Sequence, residues 1–250
     1  MNDNVEYVQR TVLRADGSSI QEETPVIKEH TLIVVVNGQE LFRIVCIREN
    51  LRELVVGRLF TEGLINSYED IIELSFCRYE WRANVILDMA LSQSHEITAE
   101  PTCCAGNKVL SSVKAIRQLC RLPEQVFSVE NVFKAAEEFS KGTFLHSLTR
   151  GTHSCFLLTE GNLLYACEDI GRHNAVDKAV GYGIINRISL SDCMIFTSGR
   201  IPVDMVQKVI AAGIPVLISK SVPTIDSIEM AKEFGLKLIC GAYKDQIEIY

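Results

Sequence analysis

The sequence predicts an α/β protein: a layered α/β/α domain with a mainly parallel, mixed sheet, preceded by a smaller β-rich portion. From about residue 163, short apolar runs alternate with amphipathic segments of helical length, which is typical of a sheet covered by helices. Before residue 100 the apolar runs instead come in pairs joined by turn residues. The chain has 250 residues, 47% of them hydrophobic, so it can bury a large core. The predicted division is an N-terminal arm at 1–30, the β-rich portion at 31–100 and the main domain at 101–250.

The N-terminal part predicts a hairpin, a helix and two further strands. Asn37 and Gly38 supply the positive φ angles of a tight turn between apolar strands. Asn50 is placed to cap the helix and Gly63 to end it. Residues 1–30 carry turn signals at 15–19 and are expected to form a loosely ordered arm or an edge strand. The predicted elements are strands at 32–36, 41–47, 71–76 and 84–89 and a helix at 51–62.

The second half predicts a loop followed by alternating helices and strands. No periodicity runs through residues 92–107, so this polar stretch is expected to be a loop. A sheet of the predicted kind binds ligands outside the carboxyl ends of its strands. The predicted helices lie at 109–121, 129–141, 174–180, 202–212 and 225–234, and the strands at 155–158, 163–167, 193–197, 216–219 and 236–240.

The charge and the cysteines limit the function classes. A net charge of −7 argues against a general nucleic-acid or membrane-surface partner, because these select basic faces. No apolar run is long enough to span a bilayer, and the polar, acidic N-terminus is unlike a secretory signal. A cytoplasmic protein with nine reduced thiols is therefore expected. The cysteines expected to be buried packing residues are Cys46, Cys155, Cys193 and Cys240.

Three strand-to-helix junctions are candidates for a binding site: residues 168–178, 197–202 and 220–224. Each combines small or hydroxyl side chains with a cation and then opens a helix, whose unpaired N–H groups favour an anion. Arg172 and Arg200 would add forked donors suited to phosphate oxygens. Together the junctions predict a pocket for a phosphorylated or carboxylated ligand.

The same junctions also fit ordinary capping and turn residues, which every α/β protein needs. The first junction is harder to explain in this way, because burying its polar groups is costly unless they have partners or a ligand. Seven polar groups follow one apolar strand there: Glu168, Asp169, Arg172, His173, Asn174, Asp177 and Lys178. His153, just ahead of another strand, is expected from its spacing alone to be structural.

Cys103 and Cys104 form a second candidate site, in the glycine-containing loop. Adjacent cysteines suit neither a disulfide with each other nor a tetrahedral metal pair. A helix starting soon after Gly106, with Lys108 nearby, would lower the pKa of one thiol and favour it as a nucleophile. The alternative is that both are incidental exposed cysteines.

Several motifs resemble those of the formate dehydrogenase accessory protein family, FdhD. The longest is residues 168–178, Glu-Asp-Ile-Gly-Arg-His-Asn-Ala-Val-Asp-Lys. Residues 150–153, Arg-Gly-Thr-His, are similar to the Gly-Gly-x-His element of that family. The other matching runs are Thr-Ser-Gly-Arg at 197–200, the run from Met205 to Val216, and Ser-Val-Pro-Thr at 221–224.

The resemblance implies a sulfurtransferase. It would accept sulfur as a cysteine persulfide from a cysteine desulfurase. It would pass that sulfur to a molybdenum (or tungsten) bis-pterin guanine dinucleotide cofactor before the cofactor enters formate dehydrogenase. The fold implied is similar to cytidine deaminase, in a homodimer. The zinc deaminase signature, His-x-Glu followed by Pro-Cys-x-x-Cys, is missing, so no zinc and no deaminase chemistry are expected.

The resemblance also implies site residues. The family loop reads Cys-Gly-x-Cys-Gly, whereas residues 103–107 read Cys-Cys-Ala-Gly-Asn. Aligned without a gap, Cys103 takes the first cysteine position and is the expected persulfide carrier; a gapped alignment leaves Cys104 as the alternative. The expected cofactor-binding residues are Gly171, Arg172, His173, Asn174, Lys178, Ser198, Gly199, Arg200, Cys240, Gly241, Ala242, Tyr243, Lys244 and Asp245, with Lys220 as a further cation. Supporting roles are expected for His153, Glu168, Asp169 and Asp177.

Two other functions remain open at this stage. The first is a chaperone that binds and delivers the cofactor without carrying sulfur; it predicts that Cys103 is dispensable and that Arg172 and Arg200 are essential. The second is a nucleotide-modifying enzyme on a deaminase-like fold, which the missing zinc ligands disfavour.

Overall fold

The computed structural model describes residues 3–88, 119–123 and 127–250 in full, and 97–99 and 108–110 as backbone. Within these residues the protein is an α/β fold of two mixed sheets and several helices, as the sequence predicts. The boundary predicted near residue 100 stays a prediction, since the residues around it lie outside those described. Among the described residues, no helix combines the length and the apolar character needed to cross a bilayer.

The N-terminal arm is an antiparallel ribbon of two strands. β1 (Val5–Leu13) pairs with β2 (Ser19–Ile27) along its whole length, from Val5 opposite Ile27 to Leu13 opposite Ser19. The turn between them lies at the predicted position, and Gly17 has a φ of +83° there. Most side chains of the ribbon are exposed. The sequence analysis expected a loosely ordered arm or an edge strand and identified only the turn, because strands exposed on both faces lack the alternation that identifies a strand.

The first sheet has the strand order β5-β6-β3-β4-β8-β7, with β3 and β6 parallel and the other pairs antiparallel. Its strands are β3 (His30–Val36), β4 (Gln39–Cys46), β5 (Ile71–Phe76), β6 (Arg82–Leu87), β7 (Ile97–Ala99) and β8 (Lys108–Leu110). Asn37 and Gly38 form the predicted turn, both with positive φ.

The helix predicted at 109–121 is wrong at its first residues. Val109 pairs with Phe42 of β4 and with Thr98 of β7, so the start of this segment is a strand. Long-range pairing overrides the local helical pattern there. β7 likewise lies within the stretch predicted as a loop. Residues 111–118 are outside the described part of the chain.

Helix α1 (Leu51–Thr61) has the predicted bounds to within one residue. Asn50 occupies the capping position, but in a left-handed conformation and with no side-chain capping hydrogen bond. Gly63 ends the helix as predicted, with a φ of +77°. The Leu64 N–H donates to the carbonyl of Leu59 at 2.9 Å, which closes the usual six-residue C-terminal turn.

The second sheet has the order β10-β9-β11-β12-β13-β14. Its strands are β9 (His153–Thr159), β10 (Asn162–Asp169), β11 (Met194–Thr197), β12 (Val216–Ser219), β13 (Lys237–Cys240) and β14 (Glu248–Ile249). The prediction of a mainly parallel sheet is wrong: only β11–β12 and β12–β13 are parallel pairs. β9 and β10 are joined by a two-residue turn, which forces antiparallel pairing, and β9 also lies antiparallel to β11.

Helices pack on both faces of the second sheet. The helices of this part of the chain are α2 (Val129–Ser140), α3 (Phe144–Thr149), which contacts β2 of the arm, α4 (Arg172–Ile185), α5 (Val203–Ala211) and α6 (Ile225–Phe234). Phe139 of α2 stacks on Phe196 of β11, with ring centroids 4.2 Å apart. The next residue towards the N-terminus, Ile195, points to the opposite face, into a core that contains buried residues of both sheets and of α1, α4 and α5.

Helices α1 and α4 cross in direct backbone contact. A Cβ on Gly57 would lie 1.8 Å from the carbonyl oxygen of Asp177, and one on Gly181 would lie 1.9 Å from the carbonyl oxygen of Glu53. The two helices can approach this closely only because both of these positions are glycine. The crossing fixes α4, and with it the start of α4 at the candidate site.

Candidate functional site

The three predicted junctions meet along one edge of the second sheet. β10 ends at this edge, β9 begins there, and the parallel strands β11, β12 and β13 all end there. Hydrogen bonds link the loops: the Ser198 N–H donates to the Ser154 carbonyl at 3.0 Å and the Ile201 N–H to the Val222 carbonyl at 3.1 Å. The Ala242 N–H donates to the Ser219 carbonyl at 3.0 Å. The edge is therefore one connected surface of loops and helix starts.

Gly199 allows the first and second junctions to touch. A Cβ at this position would lie 2.9 Å from Cβ and 3.0 Å from Cδ of Arg172, so the aliphatic part of that side chain passes directly over the glycine. The Gly199 carbonyl also accepts a hydrogen bond from Ser219 Oγ at 2.7 Å. Arg172, the first residue of α4, is thereby held against the second junction.

Asp169 organises the start of α4 from inside the protein. Its carboxylate is fully buried and pairs with Lys178 Nζ at 2.7 Å. It also accepts from the Asn174 amide at 2.8 Å and from the Gly171 N–H at 3.1 Å. Lys178 Nζ donates in addition to the Glu168 carbonyl at 3.1 Å. Asp169, Asn174 and Lys178 thus have partners within the fold; the ligand contact predicted for Asn174 and Lys178 and the supporting role predicted for Asp169 stay predictions.

Glu168 fastens the chain segment 143–152 to the end of β10. Its carboxylate accepts four hydrogen bonds at 2.7–2.9 Å. The donors are the hydroxyl groups of Thr143 and Thr152 and the backbone N–H groups of Leu145 and His146. Four donors offset the cost of burying this carboxylate.

Asp177 faces away from the edge, towards α1 and α5. Both of its carboxylate oxygens lie 2.8 Å from Lys208 Nζ, and Thr61 Oγ1 donates to Oδ1 at 2.9 Å. Arg58 Nη1 lies 3.6 Å from Oδ2. The sequence reasoning singled out neither Lys208 nor Arg58. Lys208 follows Met205 at helical spacing on the apolar side of α5, and a cation at such a position could have indicated a buried ion pair.

Two histidines lie at the first junction. His153 Nδ1 lies 3.3 Å from Ser198 Oγ. Burial lowers the pKa of His153, and the positive charges of Arg172 and His146 lower it further. His173 Nε2 lies 3.3 Å from Asp204 Oδ2, which joins the first turns of α4 and α5. His146, in α3, was not singled out from the sequence.

Further cations line the same edge. Arg200 is exposed and Lys220 is partly buried, with Nζ 5.2 Å from the centroid of the Phe139 ring. Burial and the nearby charge of Lys244 lower the pKa of Lys220. Together with Arg172, these residues place positive charges along the edge. Below them, Glu168 accepts hydrogen bonds from the segment 143–152 and Asp169 pairs with Lys178.

The C-terminal segment divides between core and surface. Cys240, Gly241 and Ala242 are buried, and burial, with the charge of Glu248, raises the pKa of Cys240 to about 12. Lys244 is exposed. Tyr243, Lys244 and Asp245 therefore present the surface of this segment, whereas the first three residues pack beneath it.

The candidate carriers Cys103 and Cys104 lie outside the described residues. Of the described thiols, those of Cys46, Cys155, Cys193 and Cys240 are buried, as predicted. Burial raises the pKa of all four. They are poor nucleophiles for this reason. In the described part of the chain, no three His, Cys, Asp or Glu side chains are grouped so as to hold a metal ion.

Comparison with known proteins gives consistent matches over most of the chain. The model of a family described as FdhD/NarQ matches residues 27–250. A curated relative named Sulfur carrier protein FdhD, from Bacillus licheniformis, is 30% identical over 96% of this chain and 94% of that protein. A relative of the same name from Wolinella succinogenes is 28% identical over 98% of this chain and 87% of that protein.

The fold is similar to that of a solved structure. It is a crystal structure from Desulfotalea psychrophila of a protein assigned as a formate dehydrogenase accessory protein. The TM-score is 0.80 at 24% identity, over 98% of this chain and 96% of that one.

Proposed function

Because this chain belongs to the FdhD/NarQ family, we propose that it is a sulfur carrier that matures formate dehydrogenase. In this proposal a cysteine desulfurase supplies the sulfur as a persulfide on Cys103, with Cys104 as the alternative. The recipient is a molybdenum or tungsten bis-pterin guanine dinucleotide, bound as the substrate before it enters formate dehydrogenase. Relatives of this chain are named sulfur carriers, and a structural neighbour is assigned as a formate dehydrogenase accessory protein.

The positive edge of the second sheet is the observation that carries the substrate assignment. Phosphate oxygens accept forked hydrogen bonds from arginine and favour the N-terminal ends of helices. Arg172 begins α4, and Arg200 comes just before α5, with Lys220 and Lys244 on the neighbouring loops. Of the carboxylates beneath the edge, Asp169 is paired with Lys178, and Glu168 accepts four hydrogen bonds within the fold. Of the predicted cofactor ligands, the proposal assigns phosphate contact to these four cations, of which Arg172 is buried at the edge, and gives Asn174 and Lys178 the task of fixing the first junction.

The sulfur transfer is a thiol exchange. The Cys103 thiolate attacks the outer sulfur of the donor persulfide; a new S–S bond forms, the donor S–S bond breaks, and the donor cysteine leaves as a thiolate. Delivery as sulfide needs two electrons. A second thiol supplies them when it attacks the inner sulfur, forms a disulfide with Cys103 and releases the outer sulfur as hydrosulfide to the metal.

Mass spectrometry tests the carrier. The protein is incubated with an active cysteine desulfurase and free cysteine, then analysed intact and as peptides. We expect one sulfur adduct, which is absent from Cys103→Ala and kept in the control Cys120→Ala, since Cys120 is an exposed thiol elsewhere in the chain. Loss of the adduct only in Cys104→Ala would move the carrier by one residue.

The same experiment, combined with a nucleotide-binding measurement, distinguishes a sulfur carrier from a chaperone that only delivers the cofactor. If no variant takes up sulfur while the protein still binds guanosine diphosphate, a cofactor-delivering chaperone replaces the sulfur carrier. If neither sulfur nor nucleotide is bound, both assignments are wrong.

A further inference from the structure

A side-chain contact joins the first turns of α4 and α5 at the candidate edge. His173, the second residue of α4, places Nε2 3.3 Å from Oδ2 of Asp204, the second residue of α5. The imidazole is buried and the carboxylate is largely buried. An ionised carboxylate can only accept a hydrogen bond, so the contact is attractive only with a proton on Nε2. The pair therefore connects two helix starts in a defined orientation.

Side chains join α4 and α5 at two places, one helical turn apart. His173 and Asp177 lie four residues apart on α4, and their partners Asp204 and Lys208 lie four residues apart on α5. Residues at this spacing share one face of a helix. The Asp177–Lys208 pair lies in the core, whereas His173–Asp204 lies in the first turns. The outer contact therefore helps to set the spacing of the two helix starts.

The two arginines assigned to the phosphates stand on the segments that this outer contact joins. Arg172 precedes His173, and the aliphatic part of its side chain passes over Gly199. Arg200 follows that glycine and comes just before Pro202, after which α5 begins. A shift of α5 relative to α4 would therefore change the separation between the two guanidinium groups. Displacements of about 1 Å weaken a site whose groups must contact one ligand together.

We propose that Asp204 is a positioning residue for the substrate: through His173 it fixes the start of α5 relative to that of α4. This inference rests on the proposed function, since the substrate is the phosphate-bearing guanine dinucleotide. The sign of the effect identifies the role. A carboxylate at the edge repels phosphate, so on charge alone the removal of Asp204 would strengthen nucleotide binding. In a positioning role the same removal weakens it.

The test measures binding of guanosine diphosphate by calorimetry. The variants are Asp204→Ala, which removes the contact, and Asp204→Asn, which removes the charge but keeps an acceptor oxygen. The matched control is Asp226→Ala, because Asp226 is the exposed second residue of α6, the neighbouring helix at the same edge. We expect Asp204→Ala to weaken binding about tenfold, the effect of one hydrogen bond to a charged group. Asp204→Asn and Asp226→Ala should bind at least about half as tightly as the wild-type protein.

The control removes the same charge from the same position of a helix, so a general effect of charge on anion binding appears in both alanine variants. Wild-type protein that binds the nucleotide while Asp204→Ala binds it equally well or more tightly would overturn the inference alone. A loss of about tenfold in Asp204→Asn would do the same, because that variant keeps the acceptor. Failure of the wild-type protein to bind would overturn the inference together with the assigned phosphate edge.

A second measurement keeps the inference testable if a variant folds poorly. Nitrogen NMR of the His173 ring in the wild-type protein shows which ring nitrogen carries a proton. We expect a proton on Nε2, with a signal that moves in Asp204→Ala and stays in place in Asp226→Ala. A wild-type ring whose Nε2 carries no proton would overturn the inference, since Asp204 would then have no donor at His173.

Discussion

Two carboxylates of the 168–178 run each have their own cation in the core. Asp169 pairs with Lys178 and Asp177 with Lys208, and all four side chains are buried. A buried pair is costly to form but far more costly to break, because removing one partner leaves an uncompensated charge. The two pairs therefore fix the start and the middle of α4 at definite positions.

We predict that Lys178→Met strongly destabilises the protein. It leaves Asp169 buried without its cation, and the free energy of unfolding is expected to fall by about 3–5 kcal/mol. Urea unfolding followed by circular dichroism measures this. Lys141→Met, which removes an exposed ion pair with Glu138, is the control and is expected to cost less than about 1 kcal/mol.

A double variant separates the charge from the packing. Asp169→Asn combined with Lys178→Met removes both buried charges and is expected to be more stable than Lys178→Met alone. If the free energy of unfolding of Lys178→Met alone lay within about 1 kcal/mol of the wild-type value, the structural role given to this pair would be contradicted.

The close packing of α1 against α4 requires glycine at positions 57 and 181. A Cβ at position 181 meets backbone, the carbonyl oxygen of Glu53, which cannot turn aside as a side chain can. At position 183 the nearest neighbours of a Cβ would be side-chain atoms, a methyl carbon of Leu190 at 2.5 Å and one of Leu157 at 3.5 Å. The two glycines of α4 therefore make a matched pair for experiment.

We predict that Gly181→Ala separates α1 from α4 and lowers the free energy of unfolding by about 3 kcal/mol, the upper range for overpacking. Gly183→Ala is expected to cost clearly less, because the Leu190 side chain can shift. Urea unfolding of the two variants side by side measures the difference. Equal losses would argue against a backbone contact at the crossing.

The sequence locates most elements but not their long-range pairing. Its pattern identifies α6 (Ile225–Phe234) and β12 (Val216–Ser219) with their observed bounds, since periodicity and turn residues are local signals. It misses β8, whose strand form depends on pairing with Phe42, and it misplaces the parallel pairs, which depend on strand order. At the candidate site, the predicted junctions of Arg172 and Arg200 do lie at one edge of the second sheet. The sequence could not show that Asp177 faces the core, because that depends on a lysine 31 residues later.

At the scale of the whole molecule, one core joins both sheets. Buried residues of the first sheet, α1, α4, α5 and the second sheet form a single cluster. The Arg58 guanidinium lies 5.3 Å from the centroid of the Phe42 ring and also pairs with Asp177, so it connects the first sheet to α4. Neither sheet can lose its packing without exposing the other.

We predict that both sheets unfold in one cooperative transition. Hydrogen exchange followed by mass spectrometry at increasing denaturant should show β3 and β4 losing protection together with β11 and β12. Circular dichroism should give the same midpoint. Loss of protection in the first sheet at a lower denaturant concentration than in the second would show two independent units instead.

The four hydrogen bonds to Glu168 also limit how the length of the chain can change. Donors at 143, 145, 146 and 152 must reach one carboxylate together, so an insertion anywhere between them would pull some of them out of reach. At the tip of the arm no atom of the described residues lies within 4 Å of a Cβ built on Gly17, so extra residues there would displace none of them. Insertions and deletions should therefore accumulate at the tip of the arm and be rare between α3 and β9.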